Sequence, residues 1–329
     1  MFIMINDKTK IINNIEGYPY DEAIELARRE VEDALSSSPL IIRGYTKHLI
    51  ASRGKFIRAM SVIMCAEDKA GLIHPNAIKI AAAIEILHLA TLVHDDVIDN
   101  ADIRRGETTL QKKYGKKTAV ICGDYLLCVA LNLATSIPNK QDYLELDMPD
   151  YMGKVCLGEL NQHINNGNLN LSIYQYLKII SGKTAALFEA SFFAGAIFSR
   201  VCETEAKRYR RLGSHIGMIF QLIDDCIDFE TTVEVANKPV QSDYEQGVIT
   251  LPLIHTFHEM VDFKDKAASS GVTRKEINDA VSKSDGLGFT RLLVQKYYNK
   301  SMRIINELDI LENKKAKLIA VLNQASRLS

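Results

Sequence analysis

The feature that most constrains the fold is a three- and four-residue spacing of apolar side chains that runs through most of the chain. In segment 78–93, Ile80, Ile84, Leu87 and Thr91 fall at these steps, as on one face of an α-helix. The same spacing recurs in segments 21–36, 52–67, 118–136, 149–165, 172–198, 204–229, 274–282 and 289–307. No run of alternating β-branched residues bounded by turn residues occurs. The sequence therefore predicts an all-α fold.

Amino-acid composition supports the helical prediction and bears on the number of domains and the kind of ligand. Only 18 Gly and 7 Pro occur among 329 residues, fewer than typical usage and favourable for long helices. No repeat or low-complexity tract marks a boundary, so we expect one domain over residues 1–329, with a lid loop near 230–250. Forty basic and 41 acidic side chains leave a net charge of -1, which argues against nucleic-acid binding through bulk charge.

Compartment and membrane association are read from cysteines and apolar runs. None of the six cysteines forms a CxxC pair, and their scatter suits reduced thiols inside a cell. The N-terminal segment 1–10 lacks the apolar core of a signal peptide. Charged or polar residues, such as Lys79, Glu85 and His88, interrupt the richest apolar stretch, so we expect no integral membrane segment and a cytoplasmic protein.

Two acidic clusters carry the strongest chemical signal. Asp95 and Asp99 lie four residues apart at the end of an apolar helix, so both carboxylates share one face. Asp224 and Asp228 repeat this spacing at the end of a second apolar helix. Clustered carboxylates in apolar surroundings are costly unless a cation lies between them. Carboxylate oxygens suit Mg²⁺, so the clusters predict magnesium binding, with surface decoration as the alternative.

Basic residues near these clusters could bind the phosphate that often accompanies Mg²⁺. Arg104 and Arg105 follow the first cluster closely, and Lys55 and Arg58 would share one face if their segment is helical. His88 lies two helical turns before the first cluster. Each basic pair could equally be a solvated surface pair, and His88 a hydrogen-bonded core residue. Further polar groups set in apolar helices are Lys183, Thr184 and Gln221.

Together these segments resemble the trans-isoprenyl diphosphate synthases, also called the polyprenyl synthase family. The resemblance covers residues 54–254 in the family's order and spacing. The matching motifs are GKxxR at 54–58, ExxH at 85–88 leading into LxHDDxxD at 92–99, RRG at 104–106, GExxQ at 158–162, KTA at 183–185, FQxxDDxxD at 220–228, and KPxxxD…GxxTLP at 238–252. The resemblance implies an all-α bundle around a deep central cavity, usually as a dimer.

The resemblance also implies a role for each matching position. Mg²⁺, several ions per site, should be held by Asp95, Asp99 and Asp224, with support from Asp96, Asp225 and Asp228. The allylic diphosphate should be contacted by Arg104, Lys183, Thr184, Gln221 and Lys238. The diphosphate of isopentenyl diphosphate should be bound by Lys55, Arg58, His88 and Arg105. Catalysis is expected to depend on Asp95, Asp99, Asp224 and Lys183.

The implied activity is Mg²⁺-dependent, head-to-tail addition of isopentenyl diphosphate to an allylic diphosphate. In this family the residues four and five before the first aspartate form part of the cavity floor, and here they are the small Thr91 and Ala90. A hexaprenyl to decaprenyl product for quinone side chains follows if both line the floor, whereas plain helix packing is the alternative. Val248 stands where the family often has a lid lysine, so we expect the lid to lack that lysine's contact with the allylic diphosphate.

Several alternatives stay open at this point. A farnesyl or geranylgeranyl diphosphate synthase, or the catalytic subunit of a heterodimer with a small partner, would carry the same motifs as a long-chain homodimer. A class I terpene cyclase, a scaffolding subunit and a carboxylate di-iron bundle fit less well. A cyclase usually lacks the second DDxxD, a scaffolding subunit loses both clusters, and a di-iron bundle needs a second Glu-x-x-His pair.

Overall fold

Almost all regular structure in the described part of the chain is helical, and the predicted all-α class is confirmed. The computed structural model describes residues 17–51, 54–139, 149–230 and 243–327. The α-helices of these ranges are α1 (Tyr20–Ser36), α2 (Leu40–Ala51), α3 (Ile57–Ala66), α4 (Pro75–Ile98), α5 (Leu110–Tyr114), α6 (Lys116–Thr135), α7 (Tyr151–Asn165), α8 (Ile173–Ile180), α9 (Ala186–Phe198), α10 (Glu203–Glu230), α11 (Leu251–Glu259), α12 (Val261–Ser270), α13 (Arg274–Lys283), α14 (Gly286–Glu307) and α15 (Glu312–Ser326).

Helices α9 and α10 form the centre of the largest apolar core. Almost every side of α9 is buried, with Phe188 and Phe192 among its large buried side chains. It packs against α10, α3 and α4, and α10 packs in turn against α14. A π-helical turn, Ser181–Ala185, joins α8 to α9. Since such turns are often found at functional sites, the junction is a place to look for chemistry.

The first acidic cluster lies at the C-terminal end of helix α4. This helix begins at Pro75, whose missing N–H costs nothing at a first helical position, and the His74 ring accepts a hydrogen bond from the N–H of Asn76 at 3.0 Å. It packs against α6, α3, α1 and α9. Because it is held on several sides, its last turns are fixed relative to the rest of the bundle.

The structure corrects several predicted element boundaries. Segment 52–67 is not one helix: α2 ends at Ala51, and α3 begins only at Ile57. The loop after α4 contains a two-stranded antiparallel hairpin, β1 (Ile103–Arg104) and β2 (Glu107–Thr108). Four-residue spacing also missed α2, α5, α11, α12 and α15, where the apolar stripe is short or interrupted.

Among the described residues, two helices are long and apolar enough to cross a membrane by length and composition alone, although charged residues interrupt the longer of them. They are α4, with 24 residues, and α6, with 20 residues. The core helix of a soluble protein meets the same criterion. Helix α4 contains Glu85, Asp95 and Asp96 and packs within the bundle, as a core helix does.

Candidate active site

One large cavity, of about 1260 Å³, brings the two acidic clusters together. Asp95 and Asp99 reach it from the end of α4, and Asp224 reaches it from the end of α10. The other residues singled out in the sequence that line it are Lys55, Arg58, His88, Thr91, Arg104, Arg105, Lys183, Thr184, Gln221, Asp225 and Val248. Segments separated by more than a hundred residues therefore form a single site.

The hairpin after α4 supplies the two arginines of the first wall. Arg104 ends β1, and its Nε donates a hydrogen bond to the buried carboxylate of Asp96. Arg105 and Gly106 form the turn with φ of 54° and 83°, as a two-residue hairpin turn requires. The two neighbouring arginines therefore have different partners, Asp96 for Arg104 and the Gly54 backbone for Arg105. Arg105 packs against Gly54, where an added Cβ would lie 2.2 Å from its Nη1.

A hydrogen-bonded chain supports the second wall. Asp225 is 2% exposed, and its carboxylate accepts hydrogen bonds from the Tyr176 hydroxyl and from Nε2 of Gln221, the latter at 2.7 Å. The amide orientation this imposes leaves Oε1 of Gln221 to accept from the Thr184 hydroxyl at 2.6 Å. Both oxygens of Asp225 are thus engaged by protein. Both Asp224 and Asp225 line the cavity. We infer that Asp225, whose oxygens are both hydrogen-bonded, orients Gln221 and Thr184, whereas Asp224 is the carboxylate of this wall suited to bind a cation.

Lys183 is held in the cavity by close packing between α7 and the π-helical turn. Its Nζ donates to Oε1 of Glu159 at 2.9 Å. A Cβ added at Gly158 would lie 2.2 Å from the backbone nitrogen of Lys183, so only glycine allows this approach. Burial lowers the pKa of Lys183, but Glu159, Asp95 and Asp99 outweigh burial and raise it overall. Lys183 is therefore a fixed cation close to the first acidic cluster.

His88 is neutral beside a buried arginine. Nη1 of Arg58 lies 2.8 Å from Nε2 of His88, and since arginine can only donate, Nε2 accepts and the ring proton lies on Nδ1. Burial, together with the charge of Arg58, holds the pKa of His88 well below its usual range. The guanidinium of Arg58 also lies 4.8 Å from the centroid of the Phe188 ring. Burial lowers the pKa of Arg58 to about 10, which leaves it charged at neutral pH.

Several carboxylates are buried without enough positive charge around them. Burial, with a contribution from Glu159, raises the pKa of Asp95 to about 7. Burial likewise raises the pKa of Asp225 to about 7 and the pKa of Asp243 to about 8. The pKa of Asp224 is also raised by burial. A site with this excess of buried negative charge is suited to bind cations.

The donors fit Mg²⁺ that is shared with a phosphate ligand. Among the described residues, no three His, Cys, Asp or Glu side chains are already gathered around one point. Mg²⁺ is commonly bound by one or two carboxylates, with water and phosphate oxygens completing its shell. Asp95 and Asp99 on one side and Asp224 on the other provide such partial sets across a cavity with room for the remaining ligands.

The raised pKa values predict that the metal-free protein loses stability as pH rises. Unfolded aspartates have a pKa near 3.9, so the folded protein binds more protons between that value and 7–8. This stabilisation is complete below about pH 4 and is lost as pH rises through 7–8. We expect the melting temperature without metal to fall by about 2 °C or more from pH 6 to pH 8.

Differential scanning calorimetry in the presence of a chelator measures this change. The variant Asp243→Asn should show a smaller dependence on pH, and added Mg²⁺ should raise the melting temperature most at pH 8. A wild-type melting temperature that is constant between pH 6 and pH 8 would contradict the buried-charge interpretation.

A few predicted positions lie outside the cavity, or have a different local structure from the one predicted. Ala90 is fully buried in the core cluster that α4 shares with α6, and it is not among the residues lining the cavity. Lys55 precedes α3 and is not on a helical face with Arg58. Asp228 accepts a hydrogen bond from the N–H of Asp243 at 3.2 Å. Lys238 lies outside the described residues.

Three residues of the site had no role in the sequence analysis. Glu159 and Asp243 belong to motifs quoted there, GExxQ and KPxxxD, so their acidic character was the available signal. Tyr176 carries no charge and sits in an apolar helix, where its spacing is that of a core residue. Only the three-dimensional contact with Asp225 reveals it.

Comparisons with known proteins give one consistent result. The sequence profile of the family described as polyprenyl synthetase matches residues 40–283. Heptaprenyl diphosphate synthase component 2 of Bacillus subtilis is 32% identical over 293 residues, covering 88% of this chain and 83% of that protein. Octaprenyl diphosphate synthase of Escherichia coli is 31% identical over 284 residues, covering 84% and 87%.

Solved structures agree with the sequence relatives. The crystal structure of heptaprenyl diphosphate synthase from Staphylococcus aureus superposes with a TM-score of 0.85 at 32% identity. The match covers 95% of this chain and 100% of that one. The fold and the arrangement of helices are therefore shared along almost the whole length.

Proposed function

The chain belongs to the polyprenyl synthetase family, whose members are prenyltransferases, and we propose that it is a long-chain trans-polyprenyl diphosphate synthase. It adds isopentenyl diphosphate units head-to-tail to an allylic diphosphate, for use in quinone side chains. The observation that carries this proposal is the single cavity in which both aspartate clusters meet two groups of cations. The chain acts as one synthase domain over residues 1–329, in the cytoplasm.

The two groups of cations, each with neutral polar neighbours, correspond to two diphosphates. Lys183, Gln221 and Arg104, near the aspartate clusters, bind the allylic diphosphate, together with Thr184 and Lys238. Lys55, Arg58, His88 and Arg105 bind the diphosphate of isopentenyl diphosphate. Because the Thr184 hydroxyl donates to Oε1 of Gln221, Thr184 contributes to binding by fixing the orientation of this amide, and the second N–H of Gln221 is the donor available to the anion.

The reaction requires a leaving diphosphate to be stabilised in a dry cavity. Several Mg²⁺ ions held by Asp95, Asp99 and Asp224 would supply Lewis-acid stabilisation of the diphosphate charge. Lys183 adds a fixed positive charge as the allylic C–O bond breaks and its electron pair leaves with the diphosphate. The double bond of isopentenyl diphosphate then attacks the allylic carbon, and the proton lost from the adduct passes to the released diphosphate. Apolar walls exclude the water that would quench the cation.

The apolar part of the cavity supports a long product. Thr91 is a small residue that lines the cavity below the first cluster, and Leu187, Ile179 and Leu171 also line it. The named relatives make heptaprenyl and octaprenyl products, which is the length class we propose here. A farnesyl or geranylgeranyl product is the alternative, and product sizing distinguishes the two.

The direct test uses the purified chain alone. It is incubated with Mg²⁺, isopentenyl diphosphate and either farnesyl or geranylgeranyl diphosphate, and the lipid products are sized by chromatography. Products of six to ten prenyl units, dependent on isopentenyl diphosphate, are expected. Metal-dependent release of diphosphate without isopentenyl diphosphate would instead indicate a cyclase. Absence of any product would contradict the proposal for the chain alone and favour a catalytic subunit that needs a second chain.

A homodimer is the proposed assembly, because α6 and α7 present apolar side chains outward. Ile121 and Leu131 on α6 are more than half exposed, and Leu157 and Ile164 on α7 are exposed to a similar extent. On α7 these residues recur at a helical spacing that forms one stripe. Exposed apolar stripes of this kind mark protein–protein contacts. The Bacillus subtilis relative is named as a component, which suggests a heteromer as the alternative.

The variant Ile121→Asp should be monomeric if α6 forms the dimer contact. A buried carboxylate without a partner costs several kcal/mol, so we expect the dissociation constant of the dimer to rise by about 100-fold or more. Sedimentation velocity over a range of concentrations measures this change. Leu292→Asp on α14 is the matched control, because Leu292 is also more than half exposed but lies on another helix. A dimer that survives Ile121→Asp unchanged places the contact elsewhere.

A further inference from the structure

The first turn of α3 lacks a cap from its own sequence. The preceding residue, Phe56, has a left-handed φ of 58° and makes no side-chain hydrogen bond to the helix. The first N–H groups of a helix have no partner within it and need one from elsewhere. Lys55 precedes this turn and Arg58 lies in it. The contacts that hold this turn therefore set the positions of Lys55 and Arg58, the two cations proposed to bind substrate.

Glu85 on α4 provides the missing partner. Its Oε2 accepts a hydrogen bond from the backbone N–H of Ala59 at 3.2 Å. Ala59 is the third residue of α3, the position whose N–H a helix-capping side chain normally satisfies. A carboxylate at this end also interacts favourably with the helix dipole. Glu85 thus caps a helix to which it does not belong.

Glu85 also lies among three arginines. Burial raises the pKa of Glu85, while the charges of Arg58, Arg105 and Arg28 act in the opposite direction. The guanidinium of Arg28 stacks over the ring of Phe56, 4.6 Å from its centroid. Glu85, Arg28, Arg105 and Phe56 line a second, small cavity of about 50 Å³ behind the main one. One carboxylate therefore offsets the mutual repulsion of three cations.

We propose that Glu85 is a positioning residue for isopentenyl diphosphate, acting through the first turn of α3 and the surrounding arginines. The inference rests on the proposed function of the site. A carboxylate would repel a diphosphate, so its contribution is to arrange the cations before this substrate binds. His88, one turn further along α4, accepts a hydrogen bond from Arg58. Helix α4 therefore holds the start of α3 at two points.

Steady-state kinetics of Glu85 variants test the proposal. Glu85→Ala should raise the KM for isopentenyl diphosphate about tenfold, or about 1.4 kcal/mol, because the turn and the arginines lose their common partner. The KM for the allylic diphosphate and kcat should stay within about threefold of wild type. Glu85→Gln keeps an acceptor for the Ala59 N–H, so its KM for isopentenyl diphosphate should fall between those of wild type and Glu85→Ala. If Glu85→Ala does not fold, Glu85→Gln tests the proposal: its KM for isopentenyl diphosphate should rise relative to wild type while its KM for the allylic diphosphate does not.

Thr273→Ala is the matched control for a lost helix cap. The Thr273 hydroxyl accepts a hydrogen bond from the Glu276 N–H at the start of α13, outside the main cavity. This variant should lose thermal stability while both KM values stay unchanged. Glu85 variants that raise both KM values equally, or neither, would overturn the proposal. Wild-type protein that makes no prenyl product contradicts the proposed function instead, so the two failures are distinguishable.

Discussion

Replacing Asp95 with alanine should lower the rate of prenyl transfer at least about 1,000-fold while the fold stays intact. Asp95 lines the cavity at the end of α4, and its loss removes a carboxylate proposed to hold Mg²⁺. Burial raises the pKa of Asp95 to about 7, so at pH 8 the metal-free folded protein carries this carboxylate charged at a cost in stability. The melting temperature of metal-free Asp95→Ala should therefore equal or exceed that of wild type.

Initial rates of product formation over a range of Mg²⁺ concentrations, together with circular dichroism, measure both parts of this prediction. Asp262→Ala, at an exposed position in the first turn of α12, is the control and should be fully active. Near-normal product formation by Asp95→Ala at saturating Mg²⁺ would remove Asp95 from the metal site. A lost helical signal would indicate a structural role instead.

Thr91→Tyr should shorten the product by several prenyl units. Thr91 lines the cavity one turn before Asp95, so a phenol ring at this position occupies the path of the growing chain. Each prenyl unit adds five carbons, and a blocked path stops elongation once the tail meets the ring. Chromatographic sizing of products made from geranylgeranyl diphosphate measures the change. Unaltered product length would show that the floor lies elsewhere.

Ala90→Phe should act differently, although the two residues are neighbours. Ala90 is fully buried in the cluster between α4 and α6, so a phenyl ring there overpacks the core instead of narrowing the cavity directly. Overpacking of this kind costs about 1–3 kcal/mol of stability. A reduced melting temperature with less change in product length is expected. The comparison separates a cavity-lining position from a packing position one residue apart.

Much of the fold and of the site is encoded in local patterns. Apolar spacing predicts α4 and α10, and the repeated DDxxD motifs at their ends predict two acidic walls. That Asp95 and Asp224 face one cavity depends on how α4 and α10 pack around α9, which no local pattern contains. The resemblance to a family supplied that step, because the family's motifs imply a common site.

The remainder depends on backbone details and long-range contacts. Lys55 and Arg58 would share one face only in a continuous helix, and the left-handed conformation of Phe56 between them prevents this. Tyr176 resembles any buried tyrosine until its hydroxyl is found on Asp225. Ala90 and Thr91 are both small, and only the direction of each side chain distinguishes the core from the cavity.

Helix α4 sets the register between the proposed binding sites of the two diphosphates. His88, proposed to face isopentenyl diphosphate, and Asp95, proposed to bind metal, belong to the same helix, seven residues or about 10 Å apart along its axis. Inserting one residue between them would rotate one group by about 100° relative to the other, whereas a whole added heptad would keep their facing and lengthen the gap by about 10 Å. Redesign of the distance between donor and acceptor substrates in this enzyme must therefore proceed in steps of helical turns.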